Sequence, residues 1–246
     1  MHTLSELRMY GRKALTGKWV PATFILFIAF LLGANTQSFS FNFSHRSSDQ
    51  ISDYLAALDL NLPPETLKEL TIWFWIMAIA LSLVAVVVGS VLRIGLSKYF
   101  IDLHDGKDVS FKTITEPFSN QYIQAVIARI LVNVLTTIGI FLLIFPGIII
   151  SYGLALVPYL MADDPTLSAI DAMKKSWELM RGQKLRLFTL RLSFIGWILL
   201  ALLFFFAIIP IYVVATYIES TMAAFYLEVV GANLEKDGVV DVEIVQ

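Results

Sequence analysis

The chain has 246 residues, of which 57% are hydrophobic and only 15% are charged, and its mean hydropathy is +0.74. Soluble domains carry about 25% charged residues, so this composition excludes an ordinary soluble protein and indicates a membrane protein. The net charge of −2 provides no basic field for nucleic acid, and the absence of cysteine excludes disulfides, thiol nucleophiles and cysteine-bound metals.

Two stretches near the start of the chain define the first membrane element. Residues 3–18 carry leucines and a methionine among basic residues, which predicts an amphipathic helix that ends at Gly17. Trp19 marks a membrane interface, and the apolar residues after it predict a first span over residues 19–36. We interpret this segment as an uncleaved helix and not as a signal peptide.

The longest polar segment, residues 35–69, is predicted to be an extracytoplasmic loop. Its first part alternates Phe39, Phe41 and Phe43 with polar residues, which is typical of a short strand or of an aromatic segment resting on the bilayer surface. We favour the second interpretation. The loop is either a lid over the helices or a passive connector, and we favour the connector.

The remaining apolar segments predict five further spans. The second span continues as a helix to about His104, and the 40-residue apolar run from Tyr122 to Met161 is twice the length of one crossing. We therefore predict a hairpin that turns at Pro146-Gly147 and another that turns near Pro210. The six predicted spans cover residues 19–36, 71–92, 122–143, 147–162, 190–209 and 210–228.

Positive charge divides unequally between the two sides of this arrangement. Of the 18 lysine and arginine residues, 15 fall on the side of the two termini, whereas Arg46 and Lys68 fall on the other and Arg129 lies within the third span. The positive-inside rule therefore places both termini in the cytoplasm. The predicted fold is an all-α polytopic membrane protein, with six transmembrane helices in three hairpins and cytoplasmic amphipathic interfacial helices. It forms a single domain over residues 1–230, followed by a cytoplasmic tail over residues 231–246.

A repeat is also indicated. Basic or amphipathic segments that end at Gly17, Gly106 and Gly182 each precede a pair of spans. This order predicts three hairpin units related by an axis along the membrane normal.

The segment between the fourth and fifth spans combines an amphipathic helix with a basic cluster. Ile170, Met173, Trp177 and Met180 recur at helical spacing and predict an apolar stripe that packs on other helices or on lipid. With its opposite face charged, this helix is expected to lie in the cytoplasmic interface. The residues assigned to an anionic-lipid interface are Lys174, Lys175, Arg181, Lys184, Arg186 and Arg191. Ordinary positive-inside bias is the simpler explanation of this cluster and the one we favour, and a specific site for anionic head groups is the other.

The ends of this helix carry their own signals. Asp164 is predicted to cap its start, with Pro165 at the first helical position, and Gly182 fits the position just beyond its end. Asp163 and Asp164 are able in principle to bind a divalent ion, but a capping role accounts for at least one of them. No metal site is therefore predicted.

Two charged residues are predicted to lie inside the membrane, Arg129 in the third span and Glu219 near the middle of the sixth. A charge near the bilayer centre costs about 2.5–3.5 kcal/mol on insertion scales, so both side chains are expected to face the bundle. They either pair with each other, or Arg129 reaches towards the cytoplasm while Glu219 lies near an interface or is locally protonated.

Several ordered motifs resemble one family of bacterial integral membrane proteins, known as domain of unknown function family 975. The motifs are Glu6-Leu7-Arg8, Gly17-Lys18-Trp19, Pro146-Gly147-Ile148-Ile149, residues 159–165, residues 176–184, residues 192–197 and Ala223-Ala224-Phe225-Tyr226. The resemblance implies a six-helix protein of the plasma membrane without an established activity. The chain departs from the family pattern at Phe204 to Pro210 and at Thr216-Tyr217, which predicts a different shape for the last hairpin.

The sequence predicts no catalytic set and no cofactor. His2, His45 and His104 are scattered over both sides of the membrane, and no phosphate loop or nucleophile elbow is present. The favoured function is a non-enzymatic protein of the bacterial envelope that acts through anionic lipids, a protein partner or a second copy of itself, in stress response, peptide resistance or assembly. The alternatives are a small transporter or channel that uses Glu219 and Arg129, and a membrane-embedded enzyme acting on lipids.

Overall fold

The computed structural model describes residues 2–34, 64–203 and 208–236, and all secondary structure in these ranges is helical. The helices are α1 (Leu4–Ala14), α2 (Trp19–Leu31), α3 (Pro64–His104), α4 (Phe111–Thr115), α5 (Pro117–Asn120), α6 (Tyr122–Leu142), α7 (Ile144–Gly153), α8 (Val157–Asp163), α9 (Ala169–Leu179), α10 (Lys184–Leu192), α11 (Ile195–Leu203) and α12 (Ile208–Lys236). The all-α prediction is confirmed for these ranges. The predicted aromatic segment at residues 39–43 and the end of the tail lie outside the described residues.

Several of these helices are long and apolar enough to cross a membrane. Within the described ranges, four segments qualify: Ile72–His104, Tyr122–Leu142, Phe145–Asp163 and Pro210–Glu235. A fifth candidate is the pair α1 and α2, which is bent by 95° at the break between them. The predicted fifth span, residues 190–209, contains the end of α10 and all of α11, and the full set of six spans stays a prediction.

Helix α3 is the longest described helix and has two different halves. It begins at Pro64, inside the segment predicted as loop, and ends at His104, as the sequence predicted. Its first half exposes large apolar residues such as Trp73 and Met77, whereas from Gly89 onward most residues are buried and none is exposed. Exposed apolar surface on this scale is expected where a helix contacts lipid, and the buried half forms part of the core.

Helices α6 and α7 pack against each other across a very short connection. Leu143 alone separates them and is extended, with φ −163° and ψ 139°. The predicted turn at Pro146-Gly147 is wrong by three residues, because Pro146 lies in the first turn of α7, where its missing N–H leaves no helix bond unmade. The tip is apolar and open, and Phe141 is 92% exposed.

Helix α12 passes through the centre of the core. From Thr216 to Tyr226 nearly every residue is buried, and α12 packs against α1, α2, α3, α9 and α11. Polar contacts fix the position of α1: the Tyr217 hydroxyl donates to the Arg8 carbonyl at 3.0 Å, and the Ser220 hydroxyl donates to the Gly11 carbonyl at 2.9 Å. The first and last described helices therefore share one packing surface.

Helix α2 ends against α3 at a pair of glycines. A Cβ atom on Gly89 would lie only 1.9 Å from the Gly33 carbonyl oxygen, so the two backbones approach each other more closely than any side chain permits. The contact holds the end of α2 about midway along α3.

The three glycines of the predicted repeat share one backbone conformation. Gly17, Gly106 and Gly182 have φ values of 77°, 71° and 75°, in the left-handed region that favours glycine. Gly182 was predicted directly after the cap of α9, and it lies one residue further along, because the cap is Met180. The common conformation is consistent with a repeat, and the superposition of three hairpins stays a prediction.

Candidate functional site: a buried charge network and a basic crevice

Three elements place charged and hydroxyl groups together inside the core. The guanidinium of Arg93 on α3 lies 2.8 Å from the Glu219 carboxylate on α12, measured from Nη1 to Oε1. The other carboxylate oxygen accepts a hydrogen bond from the Tyr159 hydroxyl on α8 at 3.0 Å. The Glu219 side chain is only 10% exposed. Since both carboxylate oxygens have partners, the buried charge is compensated.

One of the two alternatives for Glu219 was pairing with Arg129, and the structure instead brings Arg93 to Glu219. Arg129 is half-buried on α6. The continuation of the helix to His104 was predicted, but Arg93 was counted among the charges between the second and third spans. In the structure this part of α3 lies in the core, and the Arg93 side chain is only 17% exposed. The sequence contained one signal of this burial, the apolar residues between Arg93 and His104.

A second internal ion pair involves the basic cluster itself. Arg186 Nη2 lies 2.6 Å from Glu228 Oε2, and both side chains are largely buried. The same guanidinium donates to the His2 carbonyl, and the His2 N–H donates to the Glu228 carboxylate. Arg186 therefore ties the start of the chain to α12, and its charge is directed to Glu228 inside the protein.

The other five predicted lipid-binding residues lie at the surface or against aromatic rings. Lys174, Lys175 and Arg181 are exposed. Lys184 Nζ lies 3.5 Å from the centroid of the Trp177 ring, and the Arg191 guanidinium lies 5.2 Å from that of Tyr152. The first three are thus the most exposed, and Lys184 and Arg191 are partly covered.

Helix α9, which carries Lys174 and Lys175, begins later than predicted. Its cap is Ser168, whose hydroxyl accepts from the Asp171 N–H at 3.2 Å, so the predictions of a cap at Asp164 and a helical Pro165 are wrong. Asp164 instead accepts from the Thr166 N–H at 3.0 Å and from its hydroxyl at 2.6 Å. These two hydrogen bonds hold the pKa of Asp164 below its usual value.

The buried face of α9 consists mainly of small residues. Ala169, Ala172 and Ser176 are buried, and the Ser176 hydroxyl donates to a backbone carbonyl of α7 at 2.8 Å. Of the predicted apolar stripe, Met180 is buried but Ile170 is 56% exposed, so the predicted stripe is only partly correct. Small side chains occupy this buried face because they let α9 approach the end of α7 closely.

Between α6, α7 and α9 lies a crevice with a volume of about 320 Å³. Its walls are apolar, and its rim is charged. The lining residues are Leu135, Ile150, Leu154, Met173, Lys174, Trp177, Glu178 and Arg181. Pockets that bind small molecules have volumes of about 300–1,000 Å³ and combine apolar walls with a few polar groups, which this crevice does.

Positive charge is crowded at the mouth of this crevice. Burial lowers the pKa of the Lys184 amine below its usual value, and the nearby positive charge of Arg181 lowers it further. An anion placed between these two groups would relieve the repulsion between them.

A second apolar crevice of about 540 Å³ lies between α2, α11 and α12. Its lining residues are Arg12, Trp19, Trp197, Leu200, Ala201, Pro210, Val213, Val214 and Tyr217. Among the described residues that line it, Arg12 alone is charged.

Both members of the acidic pair at the end of α8 have protein partners. Asp163 accepts a hydrogen bond from the Tyr226 hydroxyl at 2.9 Å, and Asp164 is engaged by Thr166. Over the residues that the structure covers, no group of three or more His, Cys, Asp or Glu side chains is arranged to hold a metal ion.

The helical fold and its apolar segments define the class, an all-α chain with several helices able to cross a membrane. Residues 134–233 match the model of a family described as protein of unknown function (DUF975). This match confirms the resemblance over the second part of the chain, whereas the opening motif around residues 6–19 lies outside it. No curated protein and no solved structure matches the chain.

Proposed function

We propose that this chain is a non-enzymatic protein of the bacterial plasma membrane that acts by binding anionic lipids at its cytoplasmic face. The proposed topology has six spans in three hairpins, with both termini in the cytoplasm, as the distribution of positive charge favours. A protein partner or a second copy remains part of the proposal, with a role in the stress response, peptide resistance or assembly of the envelope.

The observation that carries this proposal is the exposed basic surface formed by Lys174, Lys175 and Arg181. Two of these residues, Lys174 and Arg181, also line an apolar crevice. Each basic residue near an anionic membrane surface contributes about 1 kcal/mol of attraction. Three such residues would together contribute about 3 kcal/mol, which corresponds to about a 100-fold preference for anionic over neutral lipid.

The experiment is a lipid-competition measurement on the full chain. Wild-type protein is reconstituted into nanodiscs of equal phosphatidylglycerol and phosphatidylcholine, and the lipids that remain bound on release are counted by native mass spectrometry. We expect phosphatidylglycerol to be enriched in wild type. The enrichment should fall at least 10-fold when Lys174, Lys175 and Arg181 are all replaced by glutamine.

A matched control removes three positive charges from another part of the same side, at Lys13, Lys18 and Lys112. This control variant should keep most of the enrichment, because these residues do not line the crevice. Equal lipid selectivity in the wild type and both variants would refute the proposal.

A transporter or channel is the second candidate, and the buried network of Arg93, Tyr159 and Glu219 favours it. Charges within membrane helices often mark ion or proton pathways. Proton flux into proteoliposomes, followed with a pH-sensitive dye, tests this candidate. Flux that is present in the wild type and absent in Glu219→Gln would support it, whereas no flux above that of empty liposomes would count against proton transport.

A further inference from the structure

The crevice between α6, α7 and α9 offers separate surfaces for the two parts of a phospholipid. Leu135 from α6, Ile150 from α7 and Leu154 provide an apolar floor, and Trp177 from α9 covers one side. An acyl chain placed there would replace contacts with bulk lipid by contacts with fixed apolar side chains.

The rim carries the groups that a head group requires. Lys174 and Arg181 line the mouth, and the Lys184 amine lies over Trp177 beside them. Two carboxylates oppose them: Glu178 also lines the crevice, and Asp171 lies 3.8 Å from Lys174, with both side chains well exposed. Three cations, Lys174, Arg181 and Lys184, thus face two carboxylates, and the remaining net charge of +1 favours an anion.

Glu178 narrows the choice of anion. A carboxylate at the rim repels a second negative charge but accepts hydrogen bonds from hydroxyl groups. A phosphodiester with one negative charge and a hydroxyl-bearing head satisfies both requirements. The cations bind its phosphate, and Glu178 accepts from its hydroxyls.

We propose that this crevice is a specific site for one anionic phospholipid with a hydroxyl-bearing head group, of the phosphatidylglycerol type. The phosphate lies between Lys174, Arg181 and Lys184, and one acyl chain lies on Leu135 and Ile150. This inference rests on the proposed function, since it gives the anionic-lipid surface a defined stoichiometry of one lipid for each chain.

The first test changes the volume of the crevice and leaves its charges in place. Leu135→Trp fills the floor without altering any charge, and Ile138→Trp is the matched control on the same helix, because Ile138 is exposed but does not line the crevice. Native mass spectrometry of detergent-purified protein with added phosphatidylglycerol should show one tightly bound lipid in the wild type and in Ile138→Trp. The affinity for this lipid should fall at least 10-fold in Leu135→Trp.

A second measurement does not depend on filling the crevice. The chain has no cysteine, so Met173→Cys introduces a single thiol inside the crevice and Ile170→Cys introduces one on the exposed side of α9. Phosphatidylglycerol should slow the maleimide labelling of Met173→Cys at least fivefold and leave that of Ile170→Cys unchanged. Phosphatidic acid, phosphatidylcholine and inorganic phosphate should protect more weakly.

The outcomes distinguish this site from the general proposal. Loss of the single tight lipid in Leu135→Trp, with the nanodisc enrichment retained, supports a crevice site within an anionic surface. If the nanodisc enrichment depends on charge but Leu135→Trp and Ile138→Trp bind the tight lipid equally well, the crevice site is overturned. The general proposal of an anionic-lipid surface then stands. Protection of Met173→Cys by inorganic phosphate to the same extent would overturn the role of the acyl chain.

Discussion

Replacing Glu219 with glutamine tests whether the buried charge network stabilises the fold. The substitution keeps the size of the side chain and an oxygen for the Tyr159 hydroxyl, but it removes the negative charge that lies 2.8 Å from Arg93. The guanidinium of Arg93, with only 17% of its side chain exposed, then lacks its described carboxylate partner.

The expected loss follows from the burial of the pair. Removing one member of a buried ion pair costs about 3–5 kcal/mol, and the partial exposure of Arg93 favours the lower end, about 3 kcal/mol. For a chain of this size that loss lowers the unfolding midpoint by about 6–12 °C. Replacing both residues, as Arg93→Met with Glu219→Gln, should restore stability to within about 1 kcal/mol of wild type, because no buried charge is left without a partner.

The measurement is thermal unfolding in one detergent, followed by tryptophan fluorescence and by size-exclusion chromatography after heating. The control is Glu116→Gln, because Lys98 and Glu116 have the same 2.8 Å separation but Glu116 is 55% exposed. An exposed pair contributes about 0–1 kcal/mol, so its midpoint should scarcely move. The reasoning fails if Glu219→Gln shifts the midpoint no more than this control, or if the double variant is less stable than the single one.

Three further predictions concern other parts of the chain. Gly89→Ala should destabilise the protein, because its methyl group would overlap the Gly33 carbonyl, and thermal unfolding measures the loss. Leu143→Cys should resist membrane-impermeant maleimide in intact membranes, since the tip between α6 and α7 is apolar and its exposed surface is expected to face acyl chains. Hydrogen bonds from the Thr3 N–H and hydroxyl lower the pKa of Glu6, so the stability that they give α1 is present at neutral pH and is lost as pH falls through the lowered pKa. Thr3→Val should raise that pKa, as carbon-13 NMR of labelled glutamate would detect.

Each of these predictions has an internal comparison. Gly231→Ala should stabilise by about 0.5–1 kcal/mol, since alanine is the better helix former and no atom lies within 4 Å of the new methyl group. Lys107→Cys, which lies on the predicted cytoplasmic side, should be labelled in inverted vesicles. Labelling of Leu143→Cys from outside at the rate seen in detergent would contradict an embedded tip. A Glu6 pKa that is the same in Thr3→Val as in the wild type would contradict a contribution of the Thr3 hydroxyl to the lowered pKa.

Local features of the fold were predicted where a single residue carries a strong conformational signal. The end of α3 at His104 follows from Asp105-Gly106 directly after it. The end of α9 shortly before Gly182 follows from the glycine itself, which adopts a left-handed conformation. The start of α9 was missed because Pro165 after an acidic residue resembles a helix start. Ser168 and Asp171 form a second capping pattern three residues after Pro165, and this is the one the structure uses. Asp164 instead accepts hydrogen bonds from Thr166 in the turn before the helix.

Contacts between residues far apart in the chain could not be predicted from the sequence. Hydropathy reports how deep a residue lies in the membrane but not which neighbour it faces. It placed Arg129 inside the third span and Arg93 just beyond the second, and so it favoured the residue that does not pair with Glu219. The same limit applies to Arg186, which was grouped with the exposed lysines by its position in the chain. Its contact with Glu228 depends on how α10 rotates against α12.

The central position of α12 has a consequence for how the protein is made. Translation proceeds from the N-terminus, so α1 and α3 reach the membrane before the helix on which both of them pack has been synthesised. During this interval Arg93 is present before its carboxylate, and the polar contacts that hold α1 do not yet exist. Exposed, incompletely packed intermediates of this kind are the species that chaperones and membrane proteases act on. We therefore expect destabilising substitutions in α12 to lower the amount of protein that inserts and folds. This loss should be larger than their effect on the stability of the protein that has folded.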